Sequence, residues 1–256
     1  MKQTAGIISF LILIVSSVSY ATPITDPDNP HNMSSLSSAG SVRAQPPSSG
    51  GTDQICVFCH TPHSAAPESP LWSRPDPTGP NGNGTFPVYA VPLQINQNAA
   101  AIALTGYDTN NPNYPNGASR MCLSCHDGVT SIGVLLGGAP IIMESGSETV
   151  TNNTIQGIID LSTSHPISFN YNDNVINTLL DTMDYQMPSA VVDTPLSNGQ
   201  MQCTTCHDPH EDTRGLAAYD FQPFWRHQGN AMSYDDVCNN CHKTGPVSTS
   251  PPHSLP

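Results

Sequence analysis

All eight cysteines of the chain lie in four copies of one short motif, C-x-x-C-H, at residues 56–60, 122–126, 203–207 and 238–242. We call these copies sites 1 to 4 in chain order. Two thiols one helical turn apart can add to the two vinyl groups of a haem, and the histidine after them can bind the iron from the same face. The motifs therefore predict four covalently bound c-type haems. The predicted attachment residues are Cys56, Cys59, Cys122, Cys125, Cys203, Cys206, Cys238 and Cys241, and the predicted proximal iron ligands are His60, His126, His207 and His242.

Other classes of protein also use paired C-x-x-C segments. Zinc ribbons bind their metal with two such pairs but do not need a histidine after each pair, whereas all four pairs of this chain have one. Thioredoxin-like redox pairs need a βαβ context, which a chain with 25 prolines does not offer, and a disulfide across C-x-x-C is strained. Zinc ribbons therefore remain the main alternative to haem.

The composition predicts little regular secondary structure. Only 11% of the residues are charged, against about 25% in ordinary globular proteins, and the chain contains 19 Gly and 25 Pro. Covalent haems can supply the apolar core that the side chains do not. The expected fold is a multihaem cytochrome c, in which irregular loops and a few short helices wrap around four haems, with little β structure. The motif starts are 66, 81 and 35 residues apart, too uneven for a tandem array, so residues 22–256 are predicted to form a single domain.

The N-terminal segment indicates export. Lys2 precedes the apolar run 6–15, and small residues stand three positions and one position before a cleavage point after Ala21. Residues 1–21 are therefore predicted to be a secretory signal peptide, with a buried N-terminal helix as the alternative. The predicted location is the periplasm or the extracellular surface of a bacterium.

The charge of the chain argues against two classes of partner. Seven basic and 20 acidic residues give a net charge of −13. Nucleic acids and anionic lipid headgroups both attract clustered positive charge, so neither is an expected partner. No apolar stretch approaches the roughly 18 residues that a membrane span needs, so no membrane insertion is expected after signal removal.

Six histidines outside the motifs can fill the four remaining axial positions. His63 and His210 follow sites 1 and 3 in the repeated pattern C-H-x-P-H. Neither can reach the far face of the haem bound three residues earlier, so each is predicted to bind the iron of another haem close by. The alternative for both is an exposed loop residue. His165, in an extended apolar segment between sites 2 and 3, is a third predicted distal ligand, with a core histidine bonded to the backbone as its alternative.

His31 is the fourth predicted distal ligand, against the alternative of a loose N-terminal arm. It precedes every motif, on an arm that could reach across a subunit boundary to a neighbour's iron. His227 and His253 are the remaining candidates. Met121 and Met201 lie next to motifs but face the wrong side of their own haems. Two imidazoles on every iron leave no open position for a substrate, so no enzymatic activity is expected.

A weaker pattern concerns calcium. Residues 108–117 are rich in Asn, Pro and Gly and could hold a Ca²⁺ ion on side-chain and carbonyl oxygens. Turns stabilised by Asn and Asp side chains explain the same composition and are the favoured interpretation.

Five segments carry a family resemblance: His31-Asn-Met-Ser34, Cys56-Val-Phe-Cys-His-Thr-Pro-His63, Met121-Cys-Leu-Ser-Cys-His-Asp-Gly128, His165-Pro-Ile-Ser-Phe169 and Cys203-Thr-Thr-Cys-His-Asp-Pro-His210. Together they resemble the outer-surface tetrahaem cytochromes of metal-reducing bacteria, the OmcE type. The resemblance covers the four haem sites in order but little of the sequence between them. C-x-x-C-H alone specifies only a c-type cytochrome, whereas the longer segments together are much more specific.

The resemblance implies haems with two axial histidines, stacked in a line, in protomers that polymerise into extracellular filaments and conduct electrons along a continuous haem chain. It implies a distal set of His31, His63, His165 and His210, in which a histidine can serve a neighbouring subunit's iron. The expected partners are further copies of the chain, other redox proteins and extracellular electron acceptors. The alternative is a soluble periplasmic tetrahaem carrier, or a redox subunit of a haem enzyme such as a nitrogen-oxide reductase.

Overall fold

The computed structural model describes residues 22–39, 42–62, 71–79, 82–88, 113–150, 154–155, 158–162, 164–171, 186–188, 196–213, 224–226 and 237–242. The predicted signal peptide lies outside these ranges, as do His63, His227, His253 and residues 108–112 of the predicted calcium segment. The assignment of residues 22–256 to one domain stays a prediction.

Two α-helices lie in the described residues, α1 at Gly117–His126 and α2 at Cys203–Cys206. Two short 3-10 helices span Pro47–Ser49 and Cys56–Phe58. None of the described helices is long and apolar enough to cross a membrane.

The strands are two residues long and form three separate antiparallel pairs within the described ranges. The strands β1 (Thr22–Pro23) and β6 (Glu211–Asp212) join the start of the described chain to the segment after site 3. The other two pairs join strands that are closer in the sequence: β2 (Thr154–Ile155) with β3 (Ile158–Ile159), and β4 (Phe169–Asn170) with β5 (Gln200–Met201). The described chain is thus mostly irregular, as the composition predicts. Sparse regular structure is not diagnostic of a multihaem cytochrome, so that fold class stays a prediction.

Each C-x-x-C-H motif forms a turn of helix. At sites 1, 3 and 4 the N–H of the histidine donates to the carbonyl of the first cysteine, with N···O distances of 2.8, 3.0 and 2.8 Å. Site 2 occupies the last two turns of α1. A helical turn is the conformation that haem attachment through two cysteines requires.

The N-termini of α1 and α2 are held together by side-chain hydrogen bonds. Gln202 accepts from the N–H of Ser119 through Oε1 at 2.9 Å, and the Ser119 hydroxyl accepts from the N–H of Cys203 at 3.0 Å. These bonds satisfy N–H groups that have no partner within their own helices. Gly117 begins α1 with a φ of 57°, and a Cβ there would lie 3.1 Å from the Gln202 amide nitrogen. The contact therefore favours glycine and fixes site 2 against site 3.

Buried apolar side chains form small clusters around the motifs. One cluster joins Phe58 and Cys125 of sites 1 and 2 with Met33, Ile132 and Met143. A second contains Leu123 of site 2 with Phe86, Val88, Tyr114 and Ile159, and a third joins Trp225 and Val237 with Cys206 and Cys238. The apolar packing of the described residues is therefore organised around the segments that would attach haem.

Candidate haem sites

Three of the four motif histidines each lie beside a histidine from outside the motifs. The ring centroids of His31 and His126 are 6.0 Å apart. His60 lies at 6.4 Å from His210, and His165 lies at the same distance from His242. The three non-motif members are among the four predicted distal ligands. The fourth, His63, lies outside the described residues, and so do the other candidates, His227 and His253.

These distances suit two imidazoles on opposite sides of one iron. A metal–imidazole bond is about 2.0 Å long and the ring centre lies about 1.1 Å beyond the bonded nitrogen, so trans imidazoles have centroids about 6.2 Å apart. The three observed separations bracket this value. Edge-on ring pairs without any ligand role reach the same separation, as Phe169 and Tyr171 do at 6.4 Å, so the argument for ligation rests on the distance together with the identity of both rings as histidines.

Backbone hydrogen bonds fix the orientation of two distal candidates. The Nδ1 atom of His31 lies 2.8 Å from the carbonyl oxygen of Pro209, and Nδ1 of His165 lies 2.8 Å from the carbonyl oxygen of Pro166. A carbonyl can only accept, so Nδ1 carries the proton in both rings and Nε2 keeps the lone pair that a metal binds. In His210, Nδ1 lies 3.5 Å from Oδ1 of Asp208, whose carboxylate favours the same tautomer.

Burial keeps the imidazoles of the His31 and His126 pair neutral. It lowers the pKa of His126 to about 4, and the nearby His31 and His207 rings act in the same direction. Burial also lowers the pKa of His31. Neutral imidazole is the form that binds a metal ion, so this pair is suited to ligation near pH 7.

The eight cysteines are free, and most of the perturbed thiols have raised pKa values. Burial raises the pKa of Cys59 and of Cys206 to about 12 and that of Cys241 to about 11. The hydrogen bond between Cys122 and Cys203 raises the pKa of Cys122 and lowers that of Cys203.

Sites that are consecutive in the chain are neighbours in space. The Cys125 thiol of site 2 is close enough to Cys59 of site 1 to raise its pKa further, and Cys122 of site 2 is hydrogen-bonded to Cys203 of site 3. The Cys238 thiol of site 4 likewise raises the pKa of Cys206 of site 3. The His60 and His210 pair also links site 1 to the segment after site 3. The attachment residues therefore form one connected series.

Two tryptophans that the motifs do not indicate contact motif histidines. Trp72 packs edge-on against His60 and Trp225 packs edge-on against His207. The signal in the sequence is that the chain has two tryptophans, and each follows a C-H-x-P-H segment.

The residues present fit a haem with two axial histidines: the thiols are free, the motifs are helical turns, and three imidazole pairs have the required spacing. In the described part of the chain, no three His, Cys, Asp or Glu side chains form a group that could hold a metal ion. No protein-family model matches the chain, and no curated protein matches its sequence.

Proposed function

We propose that this chain is a tetrahaem c-type cytochrome whose function is electron transfer and not catalysis. The observation that carries the proposal is the set of three imidazole pairs at 6.0 to 6.4 Å, each joining a motif histidine to one outside the motifs. A bound haem supplies an iron that accepts and returns one electron.

In this proposal the two cysteines of each site attach its haem and two histidines bind its iron. The proposed axial pairs are His60 with His210, His126 with His31, His207 with His63, and His242 with His165. The first, second and fourth pairs follow from the observed distances. We therefore propose that His31 binds an iron of its own chain. Its position near the N-terminus had suggested a ligand for the iron of a neighbouring subunit.

The third pair follows from a reciprocal arrangement. His210 stands three residues after the proximal histidine of site 3 and lies beside the proximal histidine of site 1. His63 stands three residues after the proximal histidine of site 1 in the same C-H-x-P-H pattern. An exchange of distal ligands between sites 1 and 3 therefore leaves His63 to bind the iron opposite His207.

The proposal includes no catalytic role because histidines would fill both axial positions of every iron. An iron with two imidazoles has no open position at which a substrate can bind. The connected series of attachment residues supports electron transfer from one haem to the next. Methionine ligation is absent from the proposed set, so the reduction potentials are expected to be predominantly negative.

The second part of the proposal concerns assembly and location. It rests on the family resemblance of the motifs and on the signal-peptide pattern. We infer that the protein is exported and that its protomers associate into an extracellular filament that conducts electrons. The acidic chain also fits exchange with other redox proteins and extracellular acceptors better than binding to nucleic acid. No role for calcium is included.

Three measurements test the two parts of the proposal separately. The intact mass of the exported protein should equal the mature chain plus four haems, and electron paramagnetic resonance should contain low-spin ferric signals alone. A mass with fewer haems, or bound zinc, contradicts the cytochrome itself. Negative-stain images of secreted material should contain ordered filaments. Monodisperse particles carrying four low-spin haems would support the soluble carrier in place of the filament protomer.

A further inference from the structure

The two tryptophans occupy equivalent positions in the backbone. After site 1, the N–H of Thr61 donates to the carbonyl of Leu71 at 2.7 Å, and the N–H of Ser73 donates to the carbonyl of Cys59 at 2.9 Å. These two bonds bracket Trp72 and set it opposite His60 in an antiparallel bridge.

The same bracket recurs after site 3. The N–H of Asp208 donates to the carbonyl of Phe224 at 2.7 Å, and the N–H of Arg226 donates to the carbonyl of Cys206 at 2.8 Å. Trp225 lies opposite His207 in the corresponding antiparallel bridge. The bridge forms although the tryptophan follows the histidine after 12 residues in one case and 18 in the other.

The residue before each tryptophan adopts the same unusual conformation. Leu71 has a φ of 70° and Phe224 a φ of 65°. The left-handed region is disfavoured for residues other than glycine and persists where the surroundings determine it. Its recurrence at two equivalent positions indicates a shared construction and not a local accident of one loop.

The ring geometry is also the same in both bridges. The Trp72 and His60 rings are 5.8 Å apart at 88°, and the Trp225 and His207 rings are 5.4 Å apart at 83°. A large rigid ring packed edge-on against an imidazole restricts the rotation of that imidazole about its side-chain bonds.

Each tryptophan also reaches the next site along the chain. The Trp72 indole N–H donates to the hydroxyl of Ser124, which lies within the site 2 motif, at 3.3 Å. Trp225 packs with Val237 and Cys238 at site 4. Trp72 therefore spans sites 1 and 2, and Trp225 spans sites 3 and 4.

The distal histidines complete the repeat. His31 precedes site 1 and pairs with site 2, and His165 precedes site 3 and pairs with site 4. Each half of the chain thus has the same order: a distal histidine, a C-x-x-C-H-x-P-H site, a tryptophan and a second C-x-x-C-H site. Uneven numbers of residues between these features conceal this order in the motif spacing.

We propose that the chain consists of two copies of a two-haem module, and that Trp72 and Trp225 are equivalent positioning residues that fix the imidazole planes of His60 and His207. This inference rests on the proposed function, because an imidazole plane acts on electron transfer through a bound iron. The plane of an axial imidazole affects the energies of the iron d orbitals, and therefore the resonance signal and the reduction potential of that haem.

The test uses Trp72→Phe and Trp225→Phe in the exported full-length protein. Each variant should keep four covalent haems in the low-spin state, because no ligand is removed. Each should shift the low-spin resonance signal and the reduction potential of one haem, because a smaller ring leaves the imidazole free to rotate about its side-chain bonds. The double variant should shift two signals and two potentials.

A matched control separates positioning from packing. Ile159→Ala removes apolar packing from a cluster that contains neither tryptophan and should lower the thermal stability without shifting a signal. Where Trp72→Phe loses haem during maturation, Trp72→Tyr supplies the same comparison with a ring of the same size that carries a hydroxyl group.

The outcomes are distinct. If both variants lose stability as Ile159→Ala does and no signal moves, the tryptophans fill space and do not position the ligands. If one variant shifts a signal and the other does not, the two modules are not equivalent. Failure of the wild-type protein to carry four haems overturns the proposed function itself, whereas four low-spin haems with unmoved signals in both variants overturn this inference alone.

Discussion

The imidazole of His31 lies 6.0 Å from that of His126, and residues after site 3 hold it there. The Pro209 carbonyl accepts its Nδ1 proton at 2.8 Å, and the Phe224 ring stacks on it at 3.9 Å with 14° between the planes. The proposed distal position of site 2 is therefore formed by residues from both halves of the chain. In the proposed ligand set, folding of the second half is a condition for ligation in the first.

We expect His31→Ala to keep four covalent haems and to convert one iron from low spin to high spin, because one imidazole is lost and no replacement stands at that position. Electron paramagnetic resonance of the oxidised protein measures the change. His227→Ala is the matched control, since His227 has no role in the proposed ligand set, and its spectrum should equal that of the wild type.

The same variant separates an intramolecular ligand from one given to a neighbouring subunit. An intramolecular pair predicts that wild-type protein stays fully low-spin when it is diluted to the monomer. If dilution of the wild type generates a high-spin iron, and His31→Ala has that iron already, the ligand comes from another copy of the chain.

The reciprocal exchange between sites 1 and 3 makes a prediction about pairs of variants. His63→Ala and His210→Ala should each produce one high-spin iron, and the double variant should produce two, because the two histidines serve different irons. Spin quantitation against the total haem measures this count. A single high-spin iron in the double variant would show that both histidines act at one site and that the exchange does not occur.

Much of the site could be predicted because haem attachment is a local requirement. The cysteine spacing, the following histidine and the helical turn all belong to five consecutive residues, so the sequence displays them directly. His31, His165 and His210 were also identifiable as candidates, because few other histidines were left. Their partners were not predictable, since the contact of His60 with His210 depends on how two distant loops fold.

The role of the tryptophans was hidden for a physical reason. Their bridges to His60 and His207 are made by backbone hydrogen bonds, which impose no fixed number or type of residues between the two bonded segments. The sequence therefore has no tandem repeat of constant length, although the contacts repeat. Equivalent contacts around sites 1 and 3 are visible only in three dimensions.

We expect the protein without haem to have no cooperative unfolding transition. The described apolar clusters are small and centred on the motifs, so side chains alone bury too little surface to offset the conformational entropy of an irregular chain. Expression without the haem attachment machinery, followed by calorimetry and far-ultraviolet circular dichroism, tests this. A sharp transition in the apo chain would contradict the view that haems form the core.

Arg74 offers a stability prediction that is independent of ligand assignment. Its side chain is fully buried and donates to the carbonyls of Ser124, Ser131, Ile132 and Val134, which ties the segment after Trp72 to the end of α1 and the loop beyond it. Arg74→Ala leaves these acceptors without their donor and opens a cavity. We expect a loss of about 3 kcal/mol or more in the free energy of unfolding. Arg43→Ala is the control, because the Arg43 side chain is 41% exposed and its ion pair with Glu144 is open to solvent, so its removal should cost about 1 kcal/mol or less. Denaturant unfolding followed by circular dichroism at the haem absorption band measures both. Equal losses in the two variants would mean that the buried hydrogen bonds of Arg74 are replaced by water and do not hold the two segments together.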